Sequence, residues 1–331
     1  MRKLISLALA LVMILSLSTV AFAADTNYED NLDKGTTFKK EYVVNSGTAP
    51  AETFEFSVDY VDFEDIAENG VEATSHPTVT LGKAVFESAL GETDTTDVSV
   101  TVTDYSAVAL GKYTYKITEN VPNIKTAGVT YNNDPVYLVV TILRNETNDN
   151  HYVAAIHYEN VEGDKTGKIT NSYDSGSLAV TKDIKGNMAD MDKEFAFTIV
   201  FTAPSGETVN SAITVSKPDG TTENITFAAG ETTLTYNINL GDDDTVTFTN
   251  IPEGVTYTVS EDAENYTPEH TTEADGTIDA NDNDADKWTN TLEKGVDTGI
   301  SMDSVPYVLL LAVATLGLAV LFTKKRMMRE F

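Results

Sequence analysis

Cysteine is absent from all 331 residues, and only four histidines occur: His76, His151, His157 and His270. Thiol catalysis, disulfide stapling and thiolate zinc sites are thereby excluded. No two of these histidines stand at a compact ligand spacing such as His-x-x-x-His. Positive charge is scarce too: 22 Lys+Arg face 52 Asp+Glu, a formal net charge of -30. Such a surface repels polyanions, which excludes nucleic acid as a partner. Apolar residues at 41% still suffice for packed cores, so wholesale disorder is excluded, and the length fits two or three domains. The composition points away from an enzyme, and the sequence calls for no cofactor and no metal.

Long apolar runs are confined to the two ends. Residues 1–23 begin with Arg2 and Lys3, continue apolar from Leu4 through Val20, and close on Ala21-Phe22-Ala23. A basic start, an apolar stretch and a small-x-small close are the marks of a secretory signal peptide, with the mature chain starting near Ala24. Val305–Phe322 carries no charge and precedes Lys324, Lys325, Arg326 and Arg329. Eighteen residues at helical rise reach about 27 Å, enough to cross a bilayer, and the basic tail marks its cytoplasmic side. The sequence thus predicts an exported chain held at the membrane by its C-terminal segment. Between Ala24 and Thr298, 50 acidic residues face 16 basic ones.

The exported region predicts an all-β fold. Alternating segments recur at Phe54–Val58, Val98–Val102, Tyr113–Ile117, Val136–Leu143, Phe195–Ile199, Leu234–Leu240 and Val255–Val259. Turn clusters such as Pro218-Asp219-Gly220 separate them, and no 3.6-residue period is sustained, which suggests β-sandwiches. One helical turn is expected near Lys83–Leu90. The acidic run Asp275–Asp286 lacks the ordered spacing of a calcium loop and reads as a solvated loop, as does Asp242–Asp244.

Three patterns occur twice in the same order. Thr37-Phe38-Lys39-Lys40 is echoed by Ala179-Val180-Thr181-Lys182, and each precedes a Phe-x-Phe strand (Phe54/Phe56, Phe195/Phe197). The stretch ending Tyr115-Lys116-Ile117-Thr118-Glu119 is echoed by Tyr257-Thr258-Val259-Ser260-Glu261, and Ile169-Thr170-Asn171 by Trp288-Thr289-Asn290. This repeat predicts two tandem domains, 30–173 and 177–294, joined at Asp174-Ser175-Gly176. Side chains two apart on a strand share a face. Lys40 therefore shares its face with Phe38 and Tyr42, Glu119 with Tyr113, Tyr115 and Ile117, and Asn171 with Ile169 and Tyr173. Lys182, Glu261 and Asn290 repeat that arrangement beside Val180, Val259 and Trp288.

An unpaired buried charge costs several kcal/mol, so these intrusions need a common explanation. One is a buried Lys–Glu ion pair with an Asn bonded nearby. The other is a spontaneous Lys–Asn isopeptide bond. Burial lowers the lysine pKa and raises the glutamate pKa, so both can be neutral in an apolar site. The free amine can then attack the Asn carbonyl carbon while the protonated Glu polarises the carbonyl and shuttles protons.

These residues, with the two special ends, resemble the sortase-assembled major pilins of Gram-positive bacteria, specifically the streptococcal type with two isopeptide-linked Ig-like (Cna-B-like) domains. The resemblance runs from Thr36 to the basic tail. It implies bonds from Lys40 to Asn171 and from Lys182 to Asn290, with Glu119 and Glu261 as the catalytic acids. It also implies a sorting signal within 295–331, where Gly295-Val296-Asp297-Thr298-Gly299 precedes the apolar span. Asp297 stands where a related Val-Pro-Thr-Gly motif has proline. A sortase would cut between Thr298 and Gly299, ending the membrane attachment, and pass the Thr298 carbonyl to an amine of the next subunit. Lys165 is the favoured acceptor, with Lys168 the alternative. The function implied is a structural pilus shaft subunit at the cell surface or wall, partnered by sortase, by copies of itself, by minor pilins and by peptidoglycan. The alternative is an anchored adhesin that uses the same domains as a stalk. Only a few residues separate Ala24 from the first strand, which favours the shaft.

Overall fold

The structure is a computed structural model and describes residues 36–87, 89–270, 274–295, 309–316 and 318. The expected signal peptide, Thr298, Gly299 and half of Val305–Phe322 lie outside the described residues. Residues 309–316 are helical, and among the described residues no helix is long and apolar enough to cross a membrane.

The remainder is built of strands. The first unit opens with β1 (Thr37–Val44), β2 (Glu52–Phe54), β3 (Phe56–Glu64), β4 (Thr78–Leu81), β5 (Ala84–Phe86) and β6 (Asp94–Thr103). It continues through β7 (Gly111–Glu119), β8 (Lys125–Thr126), β9 (Val129–Thr130), β10 (Val136–Arg144), β11 (His151–Glu159) and β12 (Lys168–Tyr173). The second unit has β13 (Ser175–Lys185), β14 (Phe195–Thr202), β15 (Glu207–Thr208), β16 (Ile213–Ser216), β17 (Thr222–Ile225) and β18 (Thr233–Leu240). It closes with β19 (Thr245–Pro252), β20 (Thr256–Glu261), β21 (Thr267–His270), β22 (Asp275–Thr277) and β23 (Asn283–Thr291).

Each unit has two main sheets facing across one core. In the first they run β4-β6-β1-β12-β9 and β11-β10-β7-β3; in the second, β17-β16-β19-β13-β23-β21 and β18-β14-β20-β22. Alternation of side chains creates these layers. β7 alternates buried and half-buried positions along its whole length, and β1 buries Phe38, Lys40 and Tyr42 while Thr37 and Lys39 face solvent. Aromatic contacts fill the first core, with Phe38 edge-on to Phe56 and Tyr42 edge-on to Phe54. The helical turn expected near Lys83–Leu90 is not formed. Ala84 and Phe86 are instead buried on β5, which pairs with β2, because burying both on one face requires a two-residue period.

One topological feature governs everything that follows. The first and last strands of each unit are hydrogen-bonded neighbours and run parallel, β1 with β12 and β13 with β23. The units meet end to end, with the single residue Asp174 between β12 and β13. The junction is stitched on both sides: β8 pairs with β15, Tyr173 Oη donates to Ser211 Oγ, and Asn250 exchanges hydrogen bonds with the Thr48 backbone. Gly47 turns there with φ +68°, and a Cβ at that position would come 2.2 Å from Asn250 Oδ1. No other residue fits that close approach at that backbone angle.

Candidate functional site

Lys40 stands two residues before Tyr42, the register partner of Asn171. Lys182 stands two residues before Ile184, the register partner of Asn290. Lysine and asparagine are thus diagonal neighbours on one inward face of adjacent strands, close enough for long side chains to meet. The glutamates come from the opposite sheet. Glu119 ends β7 beside Phe56, and Glu261 ends β20 beside Phe197.

In the first unit the three side chains converge on one carboxylate. Lys40 Nζ lies 2.7 Å from Glu119 Oε2, and Asn171 Nδ2 donates to Glu119 Oε1 at 2.6 Å. All three residues are buried, Lys40 completely. The Phe54 ring lies beneath the ammonium, 4.5 Å from its centroid. Asn171 Oδ1 points away from the glutamate and accepts the backbone N–H of Asn132 at 2.9 Å. Burial pulls the Lys40 pKa down to about 8, against the opposing hydrogen bond and charge of Glu119.

The second unit repeats the constellation with different wiring. Lys182 Nζ is 2.7 Å from Glu261 Oε1, both side chains fully buried, and Asn290 Nδ2 donates to that same oxygen at 3.0 Å. The Lys182–Glu261 contact is close without being an aligned hydrogen bond. Among the described residues, Glu261 Oε2 and Asn290 Oδ1 have no partner. Lys182 lies 4.5 Å from the Phe195 centroid, and burial lowers its pKa against the pull of Glu261.

A buried lysine whose charged form is disfavoured, a carboxylate in contact with it and an amide on that same carboxylate bring together the groups that an amide exchange would use. The lowered Lys40 pKa has a measurable consequence in Asn171→Ala, which keeps lysine and glutamate but removes the acceptor. Folded Lys40 loses its proton near pH 8, whereas the unfolded chain keeps it to about 10.5. Between those values the unfolded state binds more protons, so this group adds stability as pH rises. Relative to Lys40→Met/Asn171→Ala, the melting temperature of Asn171→Ala should climb across that window. An invariant difference would mean that burial does not depress Lys40.

All six residues expected from the repeat are therefore gathered into two sites. The aromatic floors, Phe54 and Phe195, were visible as a repeated Phe-x-Phe but not as covers for the lysines. Asn132 left no sequence signal, because it lies in the loop after β9, outside the three repeated patterns. The expected acceptor Lys165 is exposed on the β11–β12 loop and has no ion pair among the described residues, whereas Lys168 is tied to Glu41 at 2.8 Å. The acidic run 275–286 is partly structured: it contains β22 and the start of β23, and buried Asp286 accepts the Trp288 indole N–H at 2.6 Å.

Residues 31–174 match the Spy0128-like isopeptide containing domain, and residues 176–292 match a domain family of unknown function, DUF7601. The chain is similar to streptococcal major pilins: it is 28% identical over 243 residues to a pilin of Streptococcus pyogenes serotype M1, covering 67% of this chain and 71% of that one. The crystal structure of the major pilin from Streptococcus pyogenes shares the fold with a TM-score of 0.51 at 21% identity, over 78% of this chain and 99% of that chain. A second structure of that major pilin, carrying a single alanine substitution, matches with a TM-score of 0.50 at 22% identity, over 78% and 100% of the two chains.

Proposed function

We propose that this protein is the shaft subunit of a cell-surface pilus, a structural major pilin whose two domains, 30–173 and 177–294, each seal themselves with a Lys–Asn isopeptide bond. The observation that carries this reading is the duplicated burial of Lys, Glu and Asn on one carboxylate, with the lysine and asparagine on the first and last strands. A buried ion pair alone would need no asparagine at that register, and it would not need one twice.

In the first domain the proton moves from Lys40 Nζ to Glu119, leaving a neutral amine and a neutral acid. The amine attacks Asn171 Cγ and forms the new C–N bond. Glu119 passes its proton to the leaving nitrogen and takes the surplus proton from Nζ as the bond from Cγ to Nδ2 breaks, so that ammonia departs and a neutral amide and a neutral acid remain. One carboxylate serves both nitrogens because each of its oxygens already contacts one of them. Lys182, Glu261 and Asn290 perform the same exchange in the second domain. Folding supplies the effective concentration, so neither a cofactor nor a metal is required.

Export through the signal peptide at 1–23 precedes assembly. A sortase then cleaves between Thr298 and Gly299, detaches the shaft from the Val305–Phe322 segment, and joins the Thr298 carbonyl to Lys165 of the next subunit. Minor pilins and peptidoglycan are the further partners of the finished fibre. Strand directions favour this linkage. Lys165 precedes β12, which runs toward the junction, and β23 runs away from the junction toward the C-terminus. Lys165 and the described end of the second domain therefore lie at opposite ends of the tandem pair, which suits head-to-tail polymerisation. Coexpression with a class of sortase that builds pili should yield a ladder of covalent multimers. Lys165→Arg and Thr298→Ala should each abolish it, and Lys168→Arg should leave it intact. A ladder that survives Lys165→Arg would reject this acceptor.

A further inference from the structure

The isopeptide reading leaves one group at the first site without a task. The carbonyl oxygen that becomes an oxyanion during attack, Asn171 Oδ1, is not held by Glu119, which takes the amide nitrogen instead. It is held by the backbone N–H of Asn132 at 2.9 Å. That donor is fixed before any reaction occurs. The β9–β12 ladder brings the loop alongside, with Thr130 opposite Ser172. The Asn132 side chain then pins the loop at two points: Nδ2 donates to the Thr170 carbonyl at 3.2 Å, and Oδ1 accepts the Asp134 N–H at 2.6 Å. A peptide plane held in this way needs no reorganisation as charge develops in front of it, which is the condition under which such a donor lowers a barrier most.

We infer that the backbone N–H of Asn132 is the oxyanion donor for Lys40–Asn171 ligation, so that labour at this site is divided. Asn132 stabilises the oxygen of the tetrahedral intermediate, and Glu119 moves the proton from nucleophile to leaving nitrogen. A cleft of about 320 Å³ lined by Asn132, Thr170, Asn171 and Ser172 opens beside the amide and gives the released ammonia a path to solvent. The second site has no such donor among the described residues. Asn290 Oδ1 is unpartnered. Among the described residues only Glu261 contacts the Asn290 amide, and it does so at the nitrogen, which makes the second domain an internal reference within the same chain.

This inference rests on the isopeptide reading, and one experiment separates the two. The chain is made by cell-free translation, synthesis is stopped, and ammonia loss from each domain is followed by intact mass and by mapping of the cross-linked peptides. At residue 132 the amide is replaced by an ester, using the hydroxy acid matching asparagine, which deletes the N–H and keeps the side chain. The expected result is loss of ammonia slowed on the order of 100-fold or more at Asn171 and unchanged at Asn290. Asn132→Ala, which keeps the N–H but frees its anchors, should slow the first site by a smaller factor. Parental rates at Asn171 in both variants would overturn the oxyanion role while leaving the isopeptide bonds standing. Slowing accompanied by loss of fold, tested by melting the ester in an unreactive Glu119→Ala background, would overturn it as well. A parent that loses no ammonia from either domain would sink the isopeptide reading itself.

Discussion

Protein spanning residues 24–298 is expected to weigh two ammonia masses less than its sequence, with Glu119→Ala and Glu261→Ala each recovering one. The reasoning is thermodynamic before it is kinetic. A fully buried lysine ammonium over the Phe54 ring has lost its water, and its hydrogen bond goes to one carboxylate. Such pairs are poor stabilisers, because desolvation offsets most of the attraction. Converting lysine, glutamate and asparagine to a neutral amide and a neutral acid removes that penalty irreversibly. It also closes a covalent loop of roughly 110–130 residues in each domain, which chain-entropy arguments for cross-links value at about 5 kcal/mol. Loss of one bond should therefore lower the melting temperature of its own domain by about 10–20 °C and leave the other domain close to its parental value. Full calculated mass in the parent would reduce both triads to polar contacts and remove the mechanism.

Under tension, the protein is expected to stay inextensible when pulled between Lys165 and the C-terminus, and Glu261→Ala should change that. The strand order dictates the load path. From Lys165 the chain enters β12, crosses Asp174 and continues along β13 to Lys182. The bond to Asn290 then carries the load directly into the end of β23, and everything between residues 182 and 290 is bypassed. Without that bond the second domain can unravel, and 108 residues at about 3.3–3.6 Å each release on the order of 350 Å. Glu119→Ala should release nothing in the same geometry, because the first domain hangs to the side of the path. Pulling from residue 36 instead should make the first domain extensible in Glu119→Ala. Single-molecule force spectroscopy reads each case as a length step. A step from the parent pulled at Lys165 would refute the load path.

The two sites were legible to different depths. Strand periodicity is local, so the alternation Phe38, Lys40, Tyr42 and the run Tyr113 to Glu119 already announced which side chains face inward. The repeat then matched the three polar intruders of one half to those of the other. What alternation cannot supply is distance between strands far apart in the chain. That Glu119 Oε2 takes lysine and Oε1 takes asparagine, while Glu261 uses one oxygen for both, depends on how two sheets pack. The short segment at Ala84–Phe86 was open to misreading for a related reason. Three residues cannot distinguish a turn of helix from a strand, and pairing with β2 decided it.

By itself, then, the sequence determined the all-β character, the acidic surface and the inward-facing lysines, glutamates and asparagines, all consequences of composition and a two-residue period. Tertiary structure alone decided the rest: that first and last strands are parallel neighbours, that the junction is locked by Gly47 and Asn250, and that Asn132 aims its N–H at Asn171. These depend on contacts between residues 39 to 202 positions apart. No local pattern can encode such contacts, because each is fixed by the packing of the whole chain.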